Sequence, residues 1–477
     1  MFTRRAFLGG LASAAAQTRS RPNLVLILTD NHGPWTLGCY GNPDVRTPHI
    51  DRLAREGMLF SRAFAVNAVC SPTRASLLTG LMPSQHGVHR YLAAQGAQIG
   101  PRAYNTIQEF PTLPKLLRQA GYATGLCGKW HLGANLEPQE GFQSWVTMPH
   151  GASPGFYDQE IIEDGKLRRE PEYLTSFWTR HAGRFIEQHR GNPFFLMLSY
   201  NGPYGLGSSM KEPIRNAHAA YYARHELPSF PRGTAHPWNF NYGSWMNDIE
   251  VRRKYAAEIS GIDDGVGRVV DMLERHRLRD NTLVLFMADQ GLAGGQSGFW
   301  GMGDHTRPLT AFDWTMSIPM ILSHRGRIPA GRRSDLLVNT CDVLPTVLDY
   351  LQVQPPKNAP WPGRSFSSVL QGGTIEWDNT VHFEFENVRA IRTAEWKYIE
   401  RIHQEPNELY HLSTDPGERL NLHGRPEHSA VQDQLRDRMH AFFNRYADAK
   451  WDLWKGGRSK SGLITGKVFG LDIQEGQ

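Results

Sequence analysis

The sequence predicts an α/β protein with a large, mostly parallel sheet covered by helices on both faces and a smaller antiparallel sheet near the C-terminus. Three observations carry this reading. Continuous apolar runs recur at 22–29, 122–127, 194–200, 283–288 and 318–323, and runs without polar alternation mark strands buried on both faces. Helical patterns at 113–120, 176–188 and 249–275 lie between them, as the crossovers of a parallel sheet require. From about Thr380 the rhythm changes to short strand-like segments at 381–383, 388–392 and 396–400, followed by Leu409, Tyr410 and a helix over 429–444.

The order along the chain divides it into four parts. Residues 1–17 contain Thr3-Arg4-Arg5-Ala6-Phe7-Leu8 and then a short run rich in Gly and Ala. This looks like a twin-arginine export signal, which is an address rather than an anchor, and implies a periplasmic or secreted protein. A catalytic α/β domain is expected over 22–375, the antiparallel subdomain with its closing helix over 376–446, and a tail over 447–477. Residues 202–247 are rich in Gly, Pro, His, Trp and Tyr without periodicity, and so long a loop inside a compact chain is usually functional.

Bulk composition narrows the class. The 477 residues are 40% hydrophobic with a net charge of +5, which fits a globular enzyme. They contain no basic block that would mark nucleic-acid binding, and no segment approaches membrane-spanning length. Four cysteines at 39, 70, 127 and 341 are too few and too scattered for a disulfide framework. Cys39, Cys127 and Cys341 read as small buried apolar residues.

The most informative stretch is Cys70-Ser71-Pro72-Thr73-Arg74-Ala75-Ser76-Leu77-Leu78-Thr79-Gly80. Ser71 suits an N-cap, Pro72 the first helical position and Gly80 the stop. That puts Cys70 just before a helix N-terminus, where free N–H groups favour an anion, with Arg74 one turn along. Asp30-Asn31 and Asp289-Gln290 each follow a buried strand, and in such folds the site lies outside the carboxyl ends of the strands. Hard cations such as calcium take several oxygen ligands of these types.

These motifs resemble the type I sulfatases, a formylglycine-dependent family of the alkaline phosphatase-like superfamily. The resemblance extends over roughly residues 22–445 and includes Leu37-Gly38-Cys39-Tyr40-Gly41-Asn42, Gly128-Lys129-Trp130-His131, Met287-Ala288-Asp289-Gln290-Gly291, Cys341-Asp342-Val343-Leu344-Pro345-Thr346 and Asp415-Pro416-Gly417-Glu418. It implies an alkaline phosphatase-like fold and hydrolysis of sulfate monoesters, with sulfated carbohydrates as the substrate class and aryl sulfates as artificial substrates. It further implies oxidation of Cys70 to formylglycine (3-oxoalanine) by a maturation enzyme. One calcium ion would be held by Asp30, Asn31, Asp289, Gln290 and the modified Cys70.

In such an enzyme one hydroxyl of the aldehyde hydrate attacks sulfur and the other regenerates the aldehyde. Arg74 and Lys129 would neutralise the sulfuryl oxygens, and His131 would do acid–base work. Four positions depart from the family pattern. Asn31 and Gln290 stand where an aspartate and an asparagine are usual. Tyr204 in Asn201-Gly202-Pro203-Tyr204 replaces a histidine, and no lysine precedes Ile318-Pro319. His305 is assigned as the replacement acid and Arg307 as a sulfate contact, with Tyr204 as a further substrate-binding residue. Rival readings are a phosphodiesterase or phosphonate monoester hydrolase of the same superfamily, and a catalytically silent carbohydrate-binding relative. His86 and the Asp263-Asp264 pair read as structural.

Overall fold

A computed structural model describes residues 21–92, 95–403 and 406–464; the export-signal reading of residues 1–17 lies outside the described residues. The central element is a ten-stranded sheet made of β1 (Asn23–Asp30), β2 (Met58–Phe60), β3 (Ala123–Gly128), β4 (Ser144–Thr147), β5 (Gln159–Glu163), β6 (Lys166–Glu170), β7 (Phe194–Pro203), β8 (Thr282–Ala288), β9 (Met320–Ser323) and β10 (Arg332–Ser334). Its spatial order is β10-β2-β9-β8-β1-β7-β3-β4-β5-β6. The five strands β8-β1-β7-β3-β4 run parallel, while β9 on one side and β5 and β6 on the other are antiparallel to their neighbours. The sheet is thus parallel at its centre and mixed at its flanks. The short strands other than β9 carry no long apolar run, so sequence reading passed over them.

The apolar run of β1 explains why both faces are covered. Val25 and Ile27 enter one core with helices Leu174–His189 and Ile249–Arg275, whereas Leu24, Leu26 and Leu28 enter the opposite core with helices Cys70–Thr79, Leu113–Gln119 and Thr340–Tyr350. Alternate side chains of a strand point to opposite faces, so burial on both requires every residue to be apolar.

With Pro48–Arg55 as α1, these helices are α2 (Cys70–Thr79), α3 (Leu113–Gln119), α4 (Leu174–His189), α5 (Ile249–Arg275) and α6 (Thr340–Tyr350), and Ser429–Tyr446 is α7. The sequence expectation for α2 needs one correction. Cys70 is its first helical residue and Val69 its cap, not Ser71. Pro72 therefore sits at the third position, which is tolerated because N–H groups of the first turn lack intrahelical partners. Gly80 ends α2 in the left-handed region at φ 72°.

A second sheet of four antiparallel strands, Val381–Phe385, Val388–Arg392, Trp396–Arg401 and Glu408–His411, packs under α7 through Ile391, Tyr398, Leu409, Leu435, Met439 and Phe443. Buried ion pairs join it to the main body: Lys397 reaches both Asp313 and Glu418 at 2.8 Å, and Glu418 accepts the Asp313 N–H at 2.6 Å. No helix among the described residues is long and apolar enough to cross a membrane.

Asp263 on α5 accepts the backbone N–H groups of His49 at 3.0 Å and Ile50 at 2.7 Å. It therefore caps α1 from a distant part of the chain, in keeping with its structural reading. Asp263→Ala would leave buried donors unsatisfied, at a cost of about 1–3 kcal/mol. We expect that loss in denaturant unfolding, with no change in the geometry of the cluster described next.

Candidate active site

The parallel strands end together, and their ends deliver the candidate residues to one place. Asp30 closes β1, and Asp289 follows β8 and is tied to β1 by its N–H to the Thr29 carbonyl at 3.0 Å. Lys129 follows β3, with its N–H on the Ser199 carbonyl of β7 at 2.8 Å, and Tyr204 follows β7 with its N–H on the Asp30 carbonyl at 3.0 Å. Helix α2 points its first residue at this junction, so ligand atoms of Asp30, Cys70 and Asp289 all lie within 4.8 Å of one another.

Two cations balance the two carboxylates. Arg74 donates to Asp289 Oδ2 from Nε at 3.0 Å, with Nη2 in ion-pair contact at 2.8 Å, and Nη1 bonds the Lys129 carbonyl at 2.8 Å and Ser199 Oγ at 2.7 Å. Lys129 Nζ is paired with Asp30 Oδ2. All four charged side chains are fully buried. Burial works against the charged forms of Arg74 and Lys129, but the carboxylates outweigh it and raise both pKa values. Burial and the neighbouring Asp30 push Asp289 upward, with Arg74 and Lys129 pulling back.

The Cys70 thiol sits against Asp30 Oδ1 at 3.4 Å and Gln290 Nε2 at 3.1 Å. Burial, Asp30 and Asp289 all raise its pKa, so it is held as a neutral thiol. Thiolate chemistry is thereby disfavoured. Gln290 also donates to Asn31 Oδ1, while its own Oε1 is buried with no partner. A cation would supply that oxygen's missing partner, so the donor set of two carboxylates and two amides fits a hard metal ion.

A cavity of about 470 Å³ opens onto Cys70 and is lined by His131, His150, Tyr204, Tyr242, Asp304 and His305, among others. His131 Nε2 lies 3.2 Å from the Leu92 carbonyl and its Nδ1 is buried without a partner. A carbonyl can only accept, so Nε2 carries the hydrogen and Nδ1 is a bare acceptor. Burial, with Lys129 and Arg74, pushes the His131 pKa well down and keeps the ring neutral. Asn31, His131 and Tyr204 adopt φ of 57°, 61° and 63°, a conformation non-glycine residues adopt at a cost and one that concentrates at functional sites.

His305 lines the cavity, with Nδ1 facing the Met302 N–H at 3.3 Å and Asp304 Oδ1 at 3.4 Å. Arg307 does not join it. Its Nη1 is spent on the carbonyls of Asp304 at 2.8 Å and Thr306 at 2.7 Å, and its guanidinium lies over the Phe240 ring at 4.4 Å, outside the cavity lining.

Sequence reasoning missed several contributors. Ser199 lies inside a buried apolar run, and nothing in the sequence says that its hydroxyl meets Arg74. Gly151 lies where a Cβ would come within 1.9 Å of the His131 ring, a close approach visible only in three dimensions. Ser71, expected as a cap, instead donates to the His131 carbonyl at 2.8 Å and accepts the Leu92 N–H at 3.0 Å, so it holds the cavity wall.

Comparison with known proteins defines the class. The family described as Sulfatase matches residues 22–353, and the one described as N-sulphoglucosamine sulphohydrolase, C-terminal, matches residues 306–445. The chain belongs to the sulfatase family and is a hydrolase with the alkaline phosphatase-like fold. Among similar proteins, an N-acetylglucosamine-6-O-sulfatase of Bacteroides thetaiotaomicron is 26% identical over 94% of this chain and 92% of its own. An N-acetylgalactosamine-6-sulfatase of Rattus norvegicus is 30% identical over 87% of this chain and 83% of its own. A solved structure in complex with its substrate D-glucosamine-2-N,6-O-disulfate superposes with a TM-score of 0.72 at 25% identity, covering 90% of this chain and 98% of that one.

The balanced charge cluster is open to a direct test. Arg74→Ala leaves two buried carboxylates facing one cation, and breaking a buried pair costs about 3–5 kcal/mol. Denaturant unfolding in chelator should show that loss, and Arg74→Lys should recover only part of it because an ammonium cannot reproduce the fork.

Proposed function

We propose that this sulfatase hydrolyses sulfate monoesters of carbohydrates, with a formylglycine made from Cys70 as nucleophile and one calcium ion as electrophile. The observation that carries the reading is the Cys70 thiol itself. It is buried, held neutral, and set among Asp30, Asp289 and Gln290 at the head of a helix, where a thiolate gains nothing and an oxygen nucleophile beside a cation gains much. The carbohydrate class is supported by the relatives above, whose names specify sulfated N-acetylhexosamines.

When present, the aldehyde hydrate supplies the attacking oxygen and the metal ion draws charge from the sulfuryl group. Asp30, Asn31, Asp289 and Gln290 would hold the ion through oxygen. Asn31 contributes no negative charge, so binding depends on the two carboxylates. Arg74 and Lys129, fixed by Asp289 and Asp30, would neutralise the sulfuryl oxygens. His131, neutral with a bare Nδ1, is suited to accept a proton or a hydrogen bond.

His305 is the leaving-group acid in this reading. Burial lowers its pKa from the usual 6.5 and Asp304 partly restores it. The protonated acid is therefore scarce at neutral pH and increasingly available below it. Tyr204 has its pKa raised by burial, with Cys70 and Asp30 adding, so it stays a neutral hydrogen-bond donor. Arg307, turned away from the cavity, is not kept as a contact to the scissile sulfate. Export through the Arg4-Arg5 signal after maturation in the cytoplasm would deliver a finished enzyme to the periplasm or medium.

Peptide mass spectrometry of protein made with a maturation system should find an aldehyde at residue 70, and Cys70→Ala should lose nearly all turnover. Sulfate esters should outrank matched phosphodiesters and phosphonates; the reverse order would reassign the reaction to phosphoryl or phosphonyl transfer. A fully active preparation carrying an unmodified thiol would overturn the nucleophile.

A sugar alkoxide is a poor leaving group and an aryl oxide a good one, so the proton donor matters by roughly 10²–10⁴-fold for the first and little for the second. We expect His305→Ala to damage sulfated sugars far more than activated aryl sulfates. Wild-type turnover of sugars should fall as pH rises through a value below 6.5, since protonated His305 is lost there, while aryl turnover holds. A selective loss in Tyr204→Phe instead would move the role to Tyr204.

A further inference from the structure

The loop wall of the cavity carries a feature that the hydrolysis of one sulfate ester does not use. Residues 236–245 lie antiparallel to the segment bearing His305: Phe240 N–H bonds the His305 carbonyl at 2.8 Å, Arg307 N–H bonds the Trp238 carbonyl at 2.8 Å, and Asn239 pairs with Thr306. The aromatic rings of this wall mostly turn inward. Trp238 stacks on Phe312 with centroids 6.2 Å apart, and Tyr242 meets the His305 ring edge-on at 4.8 Å. Phe240 does the opposite and is 60% exposed, although its neighbours Asn241 and Tyr242 line the cavity. Only two other large apolar side chains among the described residues, Leu167 and Leu420, are comparably exposed.

Arg307 completes the arrangement. Its guanidinium covers one part of the Phe240 ring at 4.4 Å, and both backbone carbonyls it serves are taken by Nη1. Nε and Nη2 hold no hydrogen-bond partner among the described residues, and these two form the guanidinium edge that binds a carboxylate or sulfate bidentately. Burial works against the charge of Arg307, Asp304 and Glu386 support it, and Arg90 opposes it more weakly. The feature is thus an exposed ring beside a free guanidinium edge, next along the chain to the cavity-lining residues Asn241, Tyr242, Asp304 and His305.

We propose that Phe240 and Arg307 form an outer subsite that takes the second sugar of a sulfated oligosaccharide, the apolar face of its ring on Phe240 and an acidic group on Arg307. The inference rests on the sulfated-carbohydrate reading given above and narrows it, from any sulfated sugar to oligosaccharides in which an acidic residue follows the one being desulfated. Arg307 then contributes to choice of substrate rather than to chemistry at sulfur.

The test compares four substrates of the matured enzyme: an aryl sulfate, a sulfated monosaccharide, and that same sugar linked to a neutral hexose or to a uronic acid. Phe240→Ala should lower kcat/KM about tenfold on both disaccharides, the scale of one aromatic contact, and leave the monosaccharide and aryl sulfate within about twofold. Arg307→Gln should lower kcat/KM on the uronic-acid disaccharide about tenfold more than on the neutral one. That loss should fall mainly in KM and shrink at high salt.

Equal effects of Phe240→Ala on monosaccharide and disaccharides, or none on any, would overturn the subsite while leaving the sulfated-carbohydrate reading intact. Wild-type turnover of the aryl sulfate with none on any saccharide would overturn both. Phe240 is exposed and packs little, so its variant keeps the test decisive even if Arg307→Gln disturbs the 304–307 backbone it supports.

Discussion

Two fully buried carboxylates, Asp30 and Asp289, are the constraint on which the rest of this structure depends. Ionised and unpaired, either would be prohibitively costly in such a place. Arg74 and Lys129 offset them, and holding those cations in register requires α2 to start at Cys70 and β3 to end just before Lys129. Arg74 in turn binds the Lys129 carbonyl and Ser199 Oγ, so helix α2 and strands β3 and β7 are locked to the same charge pair. The strained backbone at Asn31, His131 and Tyr204 lies at the rim of this cluster. Such conformations persist where the surroundings over-determine them, and few surroundings are more demanding than a closed set of buried charges.

The small C-terminal sheet contributes to the same end from the other side. Its Lys397 and the nearby Glu418 grip Asp313, while Glu408 reaches Thr310 at 3.1 Å and pairs with Arg401. The segment between them and Gly303 carries Asp304, His305 and Arg307, so the position of the candidate acid is set partly by a sheet that contributes no residue to the cavity lining. The long loop over 202–247 lines the cavity beside it through Tyr204, Leu206, Asn241 and Tyr242.

Much of this was legible in the amino-acid sequence, for physical reasons. Strands buried on both faces must be apolar throughout, so β1, β7 and β8 announced themselves, and their polar terminators Asp30 and Asp289 marked the site. The 27-residue helix α5 was readable in full because its pattern is long; its cap, Asp248, was not singled out. The short strands β2 and β10 were not readable, since their pairing is decided by neighbours far away in the chain, whereas β5 and β6 form a local hairpin across Asp164-Gly165 that the sequence reading passed over.

Residue chemistry close along the chain was thus determined by sequence: which helix and strand ends carry Cys70, Arg74, Lys129 and the metal-type donors, and the reaction class their motifs imply. Tertiary structure alone decided direction. It turned Ser71 to the cavity wall instead of a cap, required Gly151 beneath His131, and sent Arg307 out to Phe240 while His305 turned inward. Only Thr306 separates His305 from Arg307, and no local rule says which faces the cavity. That choice follows from the antiparallel contact with residues 236–245 and the anchoring of Asp313, both long-range interactions that the sequence encodes without displaying.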